Sequence, residues 1–227
     1  MAPSLYTNEI YHVYNRTIGK TPALSNQSEV VAFLNTVRYY KYQRNVRYSI
    51  YKREIAMRMK NKIPKIDLHT PSSQLVEVYA YAVMPNHYHF LLKQLKKNGI
   101  QTFIATIQNS YARSYNLLEN RNGGLFQRSF KTNHISNDTE FSVVSRYIHL
   151  NPVVANLVDL GGLPNYPYTS YKIYAHNISN DPLVTSTQLM ERFKSFSNYE
   201  RFVHDHLDYI KRLKEVKLHT FTITPDR

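Results

Sequence analysis

Cysteine is absent from the chain, and so is tryptophan. Without cysteine there is no disulfide, no thiolate metal site and no cysteine nucleophile, and the usage fits a reducing cytoplasm, the expected location. No run of about 18 uninterrupted apolar residues exists, so neither a membrane span nor a membrane partner is expected. Met1-Ala2-Pro3-Ser4-Leu5-Tyr6 has no basic region followed by an apolar one, so no signal peptide is expected either. Acidic residues are scarce: 16 Asp and Glu stand against 29 Lys and Arg, a net charge of +13. An excess of that size points to a polyanionic partner, nucleic acid before any other.

What is present agrees with that reading. Twenty Tyr and ten Phe supply faces on which unstacked bases can sit, although many of these rings must fill the core. The 227 residues are 42% hydrophobic, enough for one sizeable domain with or without an appendage.

The organising stretch is Met84-Pro85-Asn86-His87-Tyr88-His89. An alternating apolar run over residues 75–83 reads as a strand, Pro85-Asn86 as a tight turn, and residues 87–92 as a second strand. Side chains two apart on a strand share a face, so His87 and His89 project together and Tyr88 projects away. Such a pair is either two unrelated strand histidines or two-thirds of a metal site awaiting a third ligand.

Around it, residues 9–19 read as a first strand, with His12 a pocket residue or a satisfied strand histidine. Ser28-Glu29 opens a helix to about residue 42. Residues 38–67 carry ten Lys or Arg against Glu54 and Asp67, with five tyrosines interleaved. This is a basic insertion whose bland reading is a solvated helix face and whose functional reading is a phosphate-and-base surface. A helix over 100–118 ends at Arg121-Asn122-Gly123-Gly124, a strand covers 125–135, and Asp138 caps a helix that Asn151-Pro152 stops. Two further helices are expected over 187–196 and 199–216. The order matches an α+β fold, a ferredoxin-like sandwich with an antiparallel sheet plus C-terminal helices.

The helix ending at Pro152 holds the chemistry. Tyr147 and Asn151 are four apart and share one helical face. A phenol beside an amide oxygen and two imidazoles suits an oxygen- and nitrogen-bound Mg²⁺ or Mn²⁺. Such an ion stabilises charge on a phosphodiester while tyrosine forms a covalent intermediate. Tyr111 and Tyr115 compete as nucleophiles by spacing, but their helix also needs a core face. His149, two residues from Tyr147, points elsewhere and is expected exposed or lining the site.

Five stretches, in order, carry a family resemblance: Tyr11-His12-Val13-Tyr14-Asn15-Arg16; residues 81–92; Tyr111-Ala112-Arg113-Ser114-Tyr115-Asn116 running on to Gly124-Leu125-Phe126-Gln127-Arg128-Ser129-Phe130-Lys131; residues 146–153; and Tyr166-Pro167-Tyr168-Thr169-Ser170-Tyr171. The chain resembles the single-tyrosine HUH transposases of the REP-associated type, the IS200-like transposases. The resemblance implies that Tyr147 is the nucleophile and that His87, His89 and Asn151 hold the metal. It implies nicking and rejoining of single-stranded DNA near hairpins through a 5′-phosphotyrosine. Tyr88 stands where the family usually has an aliphatic residue. Arg16, Arg44, Arg47, Lys52, Arg53, Arg128 and Lys131 are the expected DNA contacts. Residues 1–175 are then the transposase domain, with the basic insertion at about 44–72, and residues 176–227 a helical extension. The partner expected is single-stranded or hairpin DNA, and the protein a monomer or homodimer. A non-catalytic hairpin DNA- or RNA-binding protein is the alternative.

Overall fold

The computed structural model describes residues 5–60, 73–178 and 180–205. Four strands, β1 (Ile10–Arg16), β2 (Val76–Met84), β3 (His87–Gln94) and β4 (Lys131–Ile135), form one antiparallel sheet in the order β2-β3-β1-β4. Helices α1 (Gln27–Tyr40) and α2 (Tyr48–Met59) separate β1 from β2, and α3 (Gly99–Leu118) separates β3 from β4. With α2 set aside, this is the βαββαβ ferredoxin-like topology that the sequence predicts. After β4 come α4 (Asp138–Val154), α5 (Tyr171–Ala175), α6 (Thr187–Phe193) and α7 (Phe196–His204).

The pleat sorts β3 in two. Tyr88 and Phe90 are fully buried and pack on Phe33 of α1, which also meets Tyr111 of α3 edge-on. His87 and His89 occupy the opposite face, toward α4, where Tyr147 lies edge-on to His89. Alternation on one strand thus divides an aromatic core face from the face that bears both imidazoles. Pro85 and Asn86 alone connect β2 to β3, and Met84 pairs with His87. The N–H of Thr17 donates to Asn86 O at 2.8 Å, tying the end of β1 to that turn.

Several boundaries differ from expectation. α1 opens at Gln27 rather than at Ser28, and Asn26 caps it in a reciprocal box with Glu29. Asn137 caps α4, its side chain accepting from the N–H of Glu140, so Asp138 is the first helical residue rather than the cap. Pro152 does not stop α4, which runs on to Val154. A proline removes the helical bond to the residue four back; here the bond is lost one turn from the end, where Ile148, Leu150 and Pro152 are buried. Asn151 therefore stays helical, one turn after Tyr147. Only residues 131–135 of the expected 125–135 strand are β4; Leu125 and Phe126 are buried, and Ile18 N donates to Leu125 O. After α3, Asn120 takes the left-handed conformation, and only Gly123 of the two glycines has positive φ. α6 ends at Phe193, three residues before its predicted end, and α7 starts at Phe196, three before its predicted start; Lys194 with φ of 61° separates them and Ser195 caps α7. The predicted continuation to residue 216 lies outside the described residues, as do residues 61–72 of the insertion.

The insertion's tyrosines are not a free stacking surface. Tyr39 and Tyr40 are buried, Tyr39 lies against Tyr48 and Tyr51, and Tyr40 Oη accepts from the N–H of Tyr48 at 2.9 Å. Interleaved aromatics close to a helix start satisfied their own burial before offering faces to solvent. They fasten α2 to α1.

Candidate active site

A cleft of about 510 Å³ opens between the end of β1, the β2–β3 turn and α4. Its lining includes His87, His89, Tyr147 and Asn151, together with Arg16, Lys131, Lys20, Tyr14 and Gln127. Three elements far apart in sequence meet there. β3 brings the imidazoles by alternation, α4 brings Tyr147 and Asn151 by its turn, and β1 brings Arg16 at its exposed end.

Both histidines are held by one nitrogen. His87 Nδ1 lies 2.7 Å from Asn86 Oδ1, and His89 Nδ1 lies 2.9 Å from His12 Nε2. Each ring therefore keeps Nε2 for another partner. Burial lowers the pKa of His87 below the ordinary imidazole value, and the Arg16 guanidinium lowers it further. Burial, with the neighbouring rings of His12 and His87, pushes His89 down to about 2. Burial alone pushes His12 down to about 4. Neutral rings with a free lone pair are what a metal needs from histidine. Among the described residues no three His, Asp or Glu side chains cluster as a metal site; a further donor has to be of another type. Asn151 is such a group. Its Nδ2 donates to Tyr147 O at 2.8 Å, which leaves its amide oxygen as an acceptor. The donor set fits a hard divalent ion with mixed N and O ligands.

Tyr147 is 46% exposed, and its ring stands edge-on to His12 and His89 at centroid distances of 5.7 and 5.6 Å. Partial desolvation raises its phenol pKa, the Asn151 amide opposes that, and Tyr14 adds to it. The competing tyrosines are placed otherwise. Tyr111 is buried with its hydroxyl donating to Ala23 O, and Tyr115 packs beside it.

Of the expected DNA contacts, Arg16 and Lys131 line the cleft and Arg128 lines the groove next to it. Arg47, Lys52 and Arg53 sit exposed at α2, away from the cleft. Arg44 stacks over Tyr39 and Tyr42, and its Nε donates to Tyr39 O.

His149 is not exposed but fully buried, because it faces the C-terminal helices rather than the cleft. Its Nδ1 lies 2.6 Å from the Tyr199 hydroxyl and its Nε2 2.7 Å from Ser170 Oγ, which accepts from the N–H of Tyr81. Burial pushes its pKa down to about 3. α7, α4 and β2 are thereby joined through one imidazole, two residues from Tyr147. The tie was not readable in advance, since nothing local pairs residue 149 with 199.

The sequence model of the family described as "Transposase IS200 like" matches residues 37–151, just over half of the chain. Among curated proteins, none matches. Among solved structures, that of a REP-associated tyrosine transposase bound to a REP hairpin aligns with a TM-score of 0.52 at 12% identity, covering 82% of this chain and 90% of that one. At that identity the likeness speaks for the fold. A candidate transposase from Deinococcus radiodurans R1 aligns at 17% identity and a TM-score of 0.35, covering 65% of this chain and 94% of that one. The chain belongs to the IS200-like transposase family.

Proposed function

We propose that this protein is a metal-dependent DNA strand transferase that nicks and rejoins single-stranded DNA beside hairpins, with Tyr147 as nucleophile. The observation that carries the reading is the meeting of Tyr147, Asn151, His87 and His89 in one basic cleft. His87, His89 and Asn151 are the residues that would hold Mg²⁺ or Mn²⁺, which when bound stabilises charge developing on the scissile phosphate. Arg16 and Lys131, which line the same cleft, would contact backbone phosphates of the strand near the reacting one. Tyr147 Oη forms a bond to phosphorus as the bond from phosphorus to the 3′ oxygen breaks. The phenol gives its proton to solvent, the departing 3′ oxygen takes one up from solvent and leaves as a hydroxyl, and the 5′ phosphate stays on the tyrosine. The reverse reaction rejoins the strand.

His12 has a positioning part in this reading. A metal-ligating histidine commonly bonds a second group through its other nitrogen, which fixes ring orientation and tautomer. His12 does so for His89, and Asn86 for His87.

The relative bound to a REP hairpin supports hairpin DNA as the partner. A labelled hairpin oligonucleotide incubated with the protein and Mn²⁺ is expected to give a covalent adduct that EDTA prevents. The adduct should be absent in Tyr147→Phe, and peptide mapping of the wild-type adduct should name Tyr147. An adduct persisting in Tyr147→Phe sinks the assignment. Tight hairpin binding with no adduct under any divalent metal would favour a binding protein instead.

A further inference from the structure

The cleft is one end of a longer feature. It shares Gln127 with a groove of about 830 Å³ between the C-terminal half of α3 and the 120–128 loop. That groove shares Asn109, Arg113 and Leu117 with a third, of about 490 Å³, which reaches Tyr40 and Arg47 where α1 gives way to α2. Asn109, Arg113 and Leu117 are spaced four apart, so they form one ridge along α3. All three are exposed, Leu117 to 84%.

The lining is one-sided in charge. Among the described residues, seven Lys or Arg and no Asp or Glu line the three grooves. A merely solvated surface mixes signs; a surface that follows a phosphate chain does not. The middle groove adds uncharged amides, among them Asn109, Asn120 and Gln127. Amides pair with base edges and add no charge. A duplex offers its phosphates along the rims and hides base faces, whereas an unpaired strand offers phosphates, edges and apolar faces together. Arginine, amide and an exposed leucine side by side match the second.

We infer that the three grooves form one continuous track for single-stranded DNA, leading from Tyr147 over the Asn109–Arg113–Leu117 ridge to Arg47. This deepens the proposed function and rests on it for the identity of the nucleic acid. It gives Arg113 and Arg121, absent from the sequence-based set of contacts, a place beside Arg128. It also explains how Arg47, remote from the cleft, reaches the same strand.

The test is fluorescence anisotropy on the full chain, with one hairpin carrying single-stranded extensions of increasing length, at several salt concentrations. Wild-type affinity should rise with extension length and then level off. Arg113→Ala should make the salt slope on long extensions shallower by about 0.7, and Arg47→Ala/Arg113→Ala by about twice that. The double variant should also level off at a shorter extension. Asn109→Asp, which leaves the arginines in place, should weaken binding of long extensions at low salt and recover at high salt. Wild-type slopes and length dependence in all three variants overturn the track. An RNA extension that binds as tightly as DNA overturns the assignment to DNA. The adduct assay is a separate readout: its failure removes Tyr147 as nucleophile, while the length and salt dependence still decide the track.

Discussion

His12 Nε2 lies 2.9 Å from His89 Nδ1, across the pairing of β1 with β3. The contact joins the opening strand of the fold to the strand that bears the proposed metal ligands. It uses one nitrogen of each ring and leaves His89 Nε2 available. His12→Ala is therefore expected to lower Mn²⁺ affinity by about 10- to 100-fold, read by titration calorimetry without DNA. His12→Asn, which keeps a side-chain hydrogen bond, should recover part of the loss. Equal Mn²⁺ affinity in His12→Ala and wild type would show that His12 merely fills space.

Stability should fall on mild acidification. Folding pushes His149 down to about 3 and His12 to about 4, mainly by burial, whereas an unfolded chain protonates histidine near pH 6.5. The unfolded state thus takes up protons that the folded state refuses. The stability is whole above about pH 6.5 and is lost progressively as pH falls toward the folded values. The urea midpoint at pH 5 should lie below that at pH 7; a flat profile would contradict the burial of these rings.

Tyr199→Phe should cost about 1–3 kcal/mol, because it strips the partner from buried His149 Nδ1 and leaves that nitrogen unsatisfied. In a protein of this size the melting temperature should drop by roughly 2–10 °C. The same hydroxyl also approaches Ser145 Oγ at 3.2 Å. Calorimetry checks this, and a change within error would mean that the imidazole finds another acceptor or donor.

The helix cap separates two neighbouring residues that look alike in sequence. Asn137→Ala removes the side chain that accepts from Glu140 N and should cost about 1 kcal/mol. Asp138→Ala removes an exposed carboxylate that pairs with Arg192, a surface pair worth less than about 1 kcal/mol. Thermal melts of the two variants should rank Asn137→Ala as the less stable; the reverse order would restore Asp138 as the cap.

Much of this protein is decided locally and is legible a few residues at a time. Period-two alternation after Pro85-Asn86 sends His87 and His89 to one side and Tyr88 to the other, as the burial of Tyr88 bears out. Period 3.6 sets Tyr147 beside Asn151. Both are properties of backbone geometry over a few residues, so they are legible without any long-range contact. The βαββαβ order follows from the same periodicities. Boundaries were less legible: Asn137 and Asp138 both suit a cap, and Pro152 suits either a stop or a tolerated last turn. Which groups meet across long sequence gaps depends on how the elements pack in the folded chain. Packing brings His12 to His89, His149 to Tyr199, the insertion's tyrosines onto one another, and Arg113 into the groove that adjoins the cleft at Gln127. Such encounters depend on sheet order and helix packing, where small differences among many burial and hydrogen-bond terms select the partner. No periodicity in the chain encodes that choice.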